Sequence, residues 1–373
     1  MPFFSNGTSK DWLERANNPT EGVIWNYSFT PDPDTDPTFS ACTFCCCSVT
    51  SRTLVIVFMV TLTCAIVIGN AVTLSVFIRT RQFRTPQGYL KVSLALADII
   101  IGVVVVPFSV YTEITLMVNS VAPPLWYKEP HPITPGPKED MWQPCKVIGP
   151  VFAGCTFVSI STIFLMTMER CVAILKPLHK DVMVTRRRSL ELIVLSWIFS
   201  FMLAITPLIL STGFTLEYNK CSRMCNYAML TDNVAAFNIL LLFPAFDFTL
   251  LCATVVINIL SFSTIRRYSR KRKSLAGNDS LSGMQHPSFS DIKAAKTISI
   301  LTFAFTASFT PIAAFVVGNV LGYEWCSFSF FAFWILTANS CCNVIIYSVR
   351  DQRFRKGVQS LILCNHPLPS EKS

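Results

Sequence analysis

Residues 145–177, CKVIGPVFAGCTFVSISTIFLMTMERCVAILKP, decide how this chain folds. A nearly unbroken apolar run separates Cys145 from the charged pair Glu169 and Arg170. The 25 residue steps from Cys145 to Arg170 would extend about 37 Å as an α-helix, close to a bilayer with part of its headgroup layers. The stretch therefore predicts a membrane-spanning helix with a charged pair at one face. Such a pair is either functional or an interfacial pair that reaches the headgroups.

The composition indicates an integral membrane protein. Of the 373 residues, 51% are hydrophobic and 14% are charged, and the mean hydropathy is +0.48. These values exclude an ordinary soluble domain. The net charge of +9 does not indicate a nucleic-acid partner, because Lys and Arg cluster between apolar runs as they do in cytosolic loops. The 15 cysteines fit no metal-binding pattern, since most lie singly in apolar runs.

Seven apolar runs are long enough to cross the membrane as helices. They cover residues 54–78, 90–112, 147–174, 190–211, 234–263, 297–321 and 326–349. The basic segments 79–84, 176–188, 266–273 and 350–356 all fall on one side of the predicted membrane. By the positive-inside rule that side is cytosolic, so we expect a multi-pass plasma-membrane protein with its N-terminus outside. The predicted fold is an all-α seven-helix bundle.

The chain divides into three predicted parts. Residues 1–51 form a polar extracellular arm with glycosylation sequons at Asn6 and Asn26, residues 52–349 form the seven-span domain, and residues 350–373 form a short cytosolic tail. In that tail Phe354, Val358 and Leu361 share one helical face, which predicts an eighth, amphipathic helix lying on membrane lipids. Cys364 follows this helix and is a candidate for palmitoylation.

Several polar side chains lie inside the predicted spans. Amides, hydroxyls and carboxylates are costly in lipid, so we expect them to face inward and meet one another. The set is Asn70, Asp98, Ser159, Asn339 and Asn343. A carboxylate surrounded by amide and hydroxyl oxygens suits a hard cation such as sodium, and the alternative is a network bridged by water. We expect no other cofactor.

The motifs of the spans together resemble those of rhodopsin-like (class A) G protein-coupled receptors over residues 54–364. They occur in the family's order, about one in each span, with the characteristic offset between Cys145 and Arg170. The motifs are Gly69-Asn70, Leu94-Ala95-Leu96-Ala97-Asp98, Cys145, Glu169-Arg170-Cys171, Lys176-Pro177-Leu178, Trp197, Pro207, Pro244, Phe309-Thr310-Pro311, Asn339-Ser340 and the residues from Asn343 to Tyr347.

This resemblance implies a receptor that couples an unknown extracellular ligand to a heterotrimeric G protein. In the resting state Arg170 would pair with Glu169 and with Asp291, which stands 20 residues before the span-six proline. On activation the sixth helix would swing outward and Arg170 would face the G protein. Leu178 would insert into the G protein, and Tyr347 belongs to the same switch.

The resemblance also implies a disulfide between Cys145 and the second outer loop, where Cys221 and Cys225 both qualify. Four positions depart from the family pattern. They are Cys171, Cys252, Phe309 and Val344, which replace the usual tyrosine, tyrosine, tryptophan and proline. The loss of the span-seven proline removes a helix-kinking element, and Cys252 removes an active-state partner of Tyr347.

The ligand is the least determined feature. Phe152 stands where amine receptors of the family carry an aspartate, and the seventh span has no lysine for retinal, which argues against amines and retinal. By family placement an aromatic and apolar pocket is formed by Phe108, Phe152, Thr156, Phe237, Phe309, Ile312, Val316, Phe333 and Thr337. Such a set favours a hydrophobic ligand.

Other function classes find little support in the sequence. A seven-span transporter or channel is the alternative, but no internal repeat is evident and only Asp98 is expected as a strongly buried carboxylate. The four histidines all lie in loops or tails. The sequence shows no nucleophile or metal constellation of the kind that catalysis needs, so we do not expect an enzyme.

Overall fold

The computed structural model describes residues 49–118, 143–175, 184–210, 214–229, 234–275, 289–321, 323 and 325–362. Every described residue belongs to one compact unit of the chain. The predicted glycosylation sites at Asn6 and Asn26, the G-protein contact Leu178 and the acylation site Cys364 lie outside the described residues.

The described residues form eight α-helices and one β-hairpin. The helices are α1 Val49–Arg79, α2 Pro86–Val118, α3 Cys145–Leu175, α4 Arg186–Leu210, α5 Val234–Leu275, α6 Phe289–Val320, α7 Cys326–Arg350 and α8 Gln352–Ile362. Helices α1 to α7 each contain a segment long and apolar enough to cross a membrane. The predicted seven-helix fold is confirmed.

Local sequence explains where several helices begin and bend. Pro86 opens α2 at a position where its missing N–H leaves no hydrogen bond unmade, and the Thr85 hydroxyl accepts a bond from the Gly88 N–H at 3.2 Å. Inside α2 the residues Ile101–Val105 form a π-helical turn. Prolines also lie within α2 (Pro107), α3, α4, α5 and α6, where packing against neighbouring helices compensates for the lost hydrogen bonds.

Helix α3 is the centre of the bundle. It packs against α2, α4, α5 and α6 and contacts both strands of the hairpin. Small residues allow this close packing, since a Cβ atom at Gly154 would meet the Phe201 ring at 3.0 Å. Large apolar side chains on the outer surface, such as Leu195 and Phe199, are more than half exposed, as expected of a lipid-facing surface.

The hairpin between α4 and α5 is an element that the all-α prediction did not contain. Strand β1 Phe214–Asn219 pairs antiparallel with β2 Met224–Met229. In the connecting turn the Asn219 side-chain oxygen accepts hydrogen bonds from the N–H groups of Cys221 and Ser222, at 2.8 and 3.1 Å. Arg223 has a φ of 56°, the left-handed conformation that ends such turns. We call this side of the bundle the hairpin end.

Helix α8 lies at the end of the bundle opposite the hairpin, which we call the α8 end. The Asp351 carboxylate accepts hydrogen bonds from the N–H groups of Arg353 and Phe354, at 3.0 and 3.3 Å, and so caps the helix start. Phe354 is 1% exposed and packs on Phe77 of α1. Val358 and Leu361 are partly buried against the same core. The predicted apolar face of α8 therefore docks on the bundle.

Candidate functional site

Two disulfides fix the hairpin over the helix bundle. Cys145 at the start of α3 is bonded to Cys225 in β2, so the structure selects Cys225 from the two alternatives. Cys221 is bonded instead to Cys326, the first residue of α7. This second bond was not predicted, although a cysteine that opens the last span was a visible signal. The hairpin is thereby tied to both α3 and α7.

A buried ion pair also holds the hairpin. Arg223 forms a salt bridge to Glu113 of α2, and the two side chains are 5% and 4% exposed. The Tyr218 hydroxyl donates a hydrogen bond to the other Glu113 oxygen at 2.8 Å. Burial, together with the Glu113 charge, holds the pKa of Tyr218 well above its ordinary value. The expectation that Asp98 is the only strongly buried carboxylate was wrong, because hairpin groups satisfy a second carboxylate at Glu113.

Beneath the hairpin lies a cavity of about 470 Å³, a size typical of small-molecule sites. Its walls come from α3, α5, α6, α7 and both strands. Six of the predicted pocket residues line it, namely Phe152, Thr156, Phe309, Ile312, Val316 and Phe333. Phe315 and Phe333 meet edge to face with ring centroids 5.8 Å apart, so much of the wall is aromatic.

Three predicted pocket residues have other outcomes. Phe108 is not among the lining residues, because it packs against the Tyr218 ring at the outer side of α2. Thr337 is likewise absent from the lining, and its hydroxyl donates to the Phe333 carbonyl within α7 at 2.8 Å. The side chain of Phe237 lies outside the described residues.

The same cavity is lined by a carboxylate that was not predicted as a site residue. Asp247 of α5 is 3% exposed. It follows Pro244 within an apolar stretch, and its charge was the visible signal. Asp247 is a third buried carboxylate beside Asp98 and Glu113, so the earlier expectation fails here as well.

Deeper in the bundle the predicted polar residues are all buried. The Asn343 amide of α7 donates to the Asp98 carboxylate at 2.8 Å, and the Ser340 side chain is a second partner of Asp98. The Asn70 amide donates to the Ser340 backbone carbonyl at 3.0 Å. The structure thus brings α1, α2 and α7 together through these side chains. Asn339 is buried on α7.

Several of these side chains carry the oxygen types that bind small hard cations. The Asn70 carbonyl oxygen is buried and has no hydrogen-bond partner within the described part of the chain. Ser159 on α3 is buried as well, and its hydroxyl donates to the Cys155 carbonyl at 3.0 Å. A carboxylate, an amide oxygen and hydroxyl oxygens are the ligand types that sodium accepts.

At the α8 end, Arg170 and Glu169 form an ion pair with an N–O distance of 3.9 Å and side chains that are 13% and 9% exposed. Tyr347 of α7 is 1% exposed and its ring lies near the Phe354 ring. Asp291 belongs to the first turn of α6, but its side chain lies outside the described residues.

A buried lysine, Lys91, also lies at the α8 end and was not among the predicted site residues. The Lys91 ammonium of α2 lies 3.7 Å from the Asp351 carboxylate. It also sits 4.8 Å from the centre of the Tyr347 ring and 5.1 Å from that of Phe77, within the range of cation–π attraction. Lys91 therefore connects α2 with α1, α7 and the start of α8, close to the Arg170 pair.

Comparison with known proteins agrees with this architecture. The family model described as 7 transmembrane receptor (rhodopsin family) matches residues 140–347. Rhodopsin of Loligo forbesii is 25% identical over 79% of the chain, the alpha-1A adrenergic receptor of Oryzias latipes is 25% identical over 79%, and the human histamine H2 receptor is 24% identical over 88%.

The matches cover 62%, 64% and 84% of those three relatives, so the chain spans less than two thirds of the first two. The family model covers more than half of the chain, and it includes α3 to α7 with the hairpin. Seven apolar helices make the chain a multi-pass membrane protein. The chain belongs to the rhodopsin family of seven-transmembrane receptors.

Proposed function

We propose that this protein is a cell-surface G protein-coupled receptor. A ligand enters the cavity at the hairpin end, and a heterotrimeric G protein binds at the α8 end. The observation that carries this proposal is the arrangement of α3, because Phe152 and Thr156 line the cavity while Glu169 and Arg170 form an ion pair further along the same helix. The 14 residues from Thr156 to Arg170 correspond to about 21 Å of helix.

The orientation follows from two independent features. Disulfides form and persist in oxidising compartments, and both described disulfides lie at the hairpin end. The basic residues Arg186, Arg187 and Arg188 open α4, and Arg350 ends α7, as expected of the cytosolic side. The hairpin end is therefore extracellular and the α8 end cytosolic.

The resting state is stabilised by charge pairs at the cytosolic end. The Glu169 carboxylate holds the Arg170 guanidinium, and the resemblance to the family assigns a second contact to Asp291. At the opposite end of α6 the Phe309 ring lines the cavity and stacks on Phe305, with ring centroids 6.2 Å apart. A ligand that moves Phe309 would shift α6 and release Arg170 toward the G protein, with Leu178 inserting beside it.

A transporter or channel is the weaker reading. The adrenergic and histamine relatives named above are receptors. Two of the three buried carboxylates among the described residues, Asp98 and Glu113, are engaged by Asn343 and by Arg223 with Tyr218. Hydrogen-bonded groups of this kind hold helices together and do not by themselves form an ion pathway.

Capture of a G protein tests the proposal. Protein reconstituted in lipid nanodiscs is mixed with purified heterotrimers of each G-protein class, and bound nucleotide is removed with apyrase. A receptor retains the nucleotide-free heterotrimer through size-exclusion chromatography and releases it on addition of a non-hydrolysable GTP analogue. The absence of any retained heterotrimer, with solute flux in vesicles carrying the same protein, would favour the carrier.

A further inference from the structure

Asp247 is the third buried carboxylate. Its side chain is 3% exposed and lines the cavity beneath the hairpin. One of its carboxylate oxygens is buried and has no hydrogen-bond partner among the residues that the structure describes. An unpartnered carboxylate removed from water is costly, so a receptor that retains one at its cavity gains something from it.

The other buried carboxylates differ from Asp247 in this respect. Asp98 accepts a hydrogen bond from Asn343 at 2.8 Å. Glu113 accepts one from Tyr218 at 2.8 Å and also pairs with Arg223. Both are held by groups of the protein itself. Asp247 therefore carries unused capacity to bind a donor or a positive charge.

The charge of the cavity points the same way. Two of the lining residues are acidic, Glu217 and Asp247, and none of the described lining residues is Lys, Arg or His. The cavity therefore offers negative charge without a counter-charge of its own. A bound cation would supply that charge and would be held more strongly in this apolar surrounding than in water.

The surroundings of Asp247 select the kind of cation. Phe243 lies one helical turn before Asp247 and lines the same cavity, so the two share a face of α5. The Phe243 ring contacts Phe157 at 5.1 Å and Tyr227 at 5.3 Å between centroids. Aromatic faces attract organic cations, whereas a metal ion would need several oxygen ligands.

We infer that the cavity binds a monovalent organic cation, a protonated amine or amidine joined to an aromatic or aliphatic body, with its charge on Asp247. This rests on the proposed function only in taking the cavity as the ligand site. The apolar body lies among Phe152, Phe309 and Phe333, which line the rest of the wall. Phe152 leaves α3 without an aspartate, and the carboxylate that holds the amine comes from α5 instead.

Thermal unfolding of the purified protein in nanodiscs tests this inference without a G protein. The probes are arylalkylamines of one to three rings, each paired with the alcohol of the same carbon skeleton. Amines raise the unfolding temperature of the wild type and bind more tightly than their alcohols, on the order of 30-fold, as expected for a buried charge pair. Asp247→Asn removes this preference, and Glu191→Gln, which removes an exposed carboxylate on α4 outside the cavity lining, retains it.

A ligand-free measurement guards against misfolded variants. Because the Asp247 carboxylate is unpartnered, Asp247→Asn and Asp247→Leu should unfold at a higher temperature than the wild type without ligand. Equal binding of amines and alcohols to the wild type would overturn the inference, as would an amine preference that Asp247→Asn retains or that Glu191→Gln loses. Lower stability of both Asp247 variants would overturn it too, by showing a structural role. None of these outcomes depends on G-protein capture, so the two proposals fail separately.

Discussion

Asp98 shows how a single residue can join structure and regulation. Its carboxylate is 1% exposed and accepts a hydrogen bond from the Asn343 amide. The buried Asn70 carbonyl oxygen has no partner within the described ranges. We propose that sodium binds among these oxygens in the resting receptor, and the competing arrangement is a network bridged by water.

Sodium binding predicts a specific loss in Asp98→Asn, which keeps the shape of the side chain but removes its charge. Sodium chloride should raise the unfolding temperature of the wild type relative to choline chloride at equal ionic strength, because a bound ion stabilises the folded state. Asp98→Asn should show no such difference. A wild type that unfolds equally in both salts would favour the water network.

The buried Tyr218 hydroxyl should make the folding stability of the protein depend on pH. Its pKa is raised in the folded state, mainly by burial and also by Glu113, whereas an unfolded tyrosine titrates near pH 10. Above about pH 10 the unfolded chain releases this proton and the folded chain keeps it, so stability falls as the pH rises. Tyr218→Phe should unfold with a smaller drop between about pH 8 and pH 10.5. A drop as large as that of the wild type would exclude this role.

The site residues differ in how well their burial and contacts could be predicted from the sequence. The polar set around Asp98 was recognisable because amides and a carboxylate are conspicuous inside apolar runs. Glu113, Asp247 and Lys91 were equally visible as charges, yet their burial depends on packing between segments that are distant in the chain. Arg223, for example, lies 110 residues beyond Glu113, and no local pattern predicts that contact.

The hairpin is held over the bundle by two disulfides. Its second disulfide, Cys221–Cys326, joins the cavity roof to α7. Cys326→Ser should lower the free energy of unfolding by about 2–4 kcal/mol, since a cross-link restricts the unfolded chain. Cys252→Ser, at an exposed free cysteine, is the matched control. Equal stability of the two variants, or peptide mapping without a 221–326 cross-link, would contradict the structure.

We predict that the chain is palmitoylated just after helix α8. Phe354 is buried beside the Tyr347 ring of α7, and the chain continues from Ile362 to Cys364. A palmitoyl group on Cys364 would strengthen an otherwise marginal membrane anchor. Acyl-exchange labelling should detect it in the wild type and not in Cys364→Ser. Unchanged labelling would place the acyl group on another cysteine, and no labelling in either protein would reject the anchor.

The helices could be predicted because their sequence patterns are local, whereas the hairpin could not. Apolar length alone located α1 to α7, and helical spacing of Phe354, Val358 and Leu361 located α8. The hairpin escaped prediction because six-residue strands carry a weak pattern. Its register depends on the turn at Asn219 and on the disulfide to Cys145.

In the whole molecule, we expect the two ends of the bundle to be energetically coupled. The cavity and its hairpin roof lie at one end, and Arg170, Lys91 and Asp351 lie at the other. The central α3 contacts four helices and both strands, so a change at either end has a packed route to the other. Ligand and G protein should therefore influence each other's binding reciprocally.

The most direct test is the rate of GDP–GTP exchange on a purified heterotrimer in the presence of the reconstituted protein. The wild type should accelerate exchange on at least one G-protein class, through the fraction of receptor that occupies the active state without ligand. Arg170→Ala should reduce the rate to that of the heterotrimer alone, whereas Arg187→Ala, at a 90% exposed side chain on α4, should match the wild type. No acceleration with any heterotrimer, or equal acceleration by Arg170→Ala, would contradict the account.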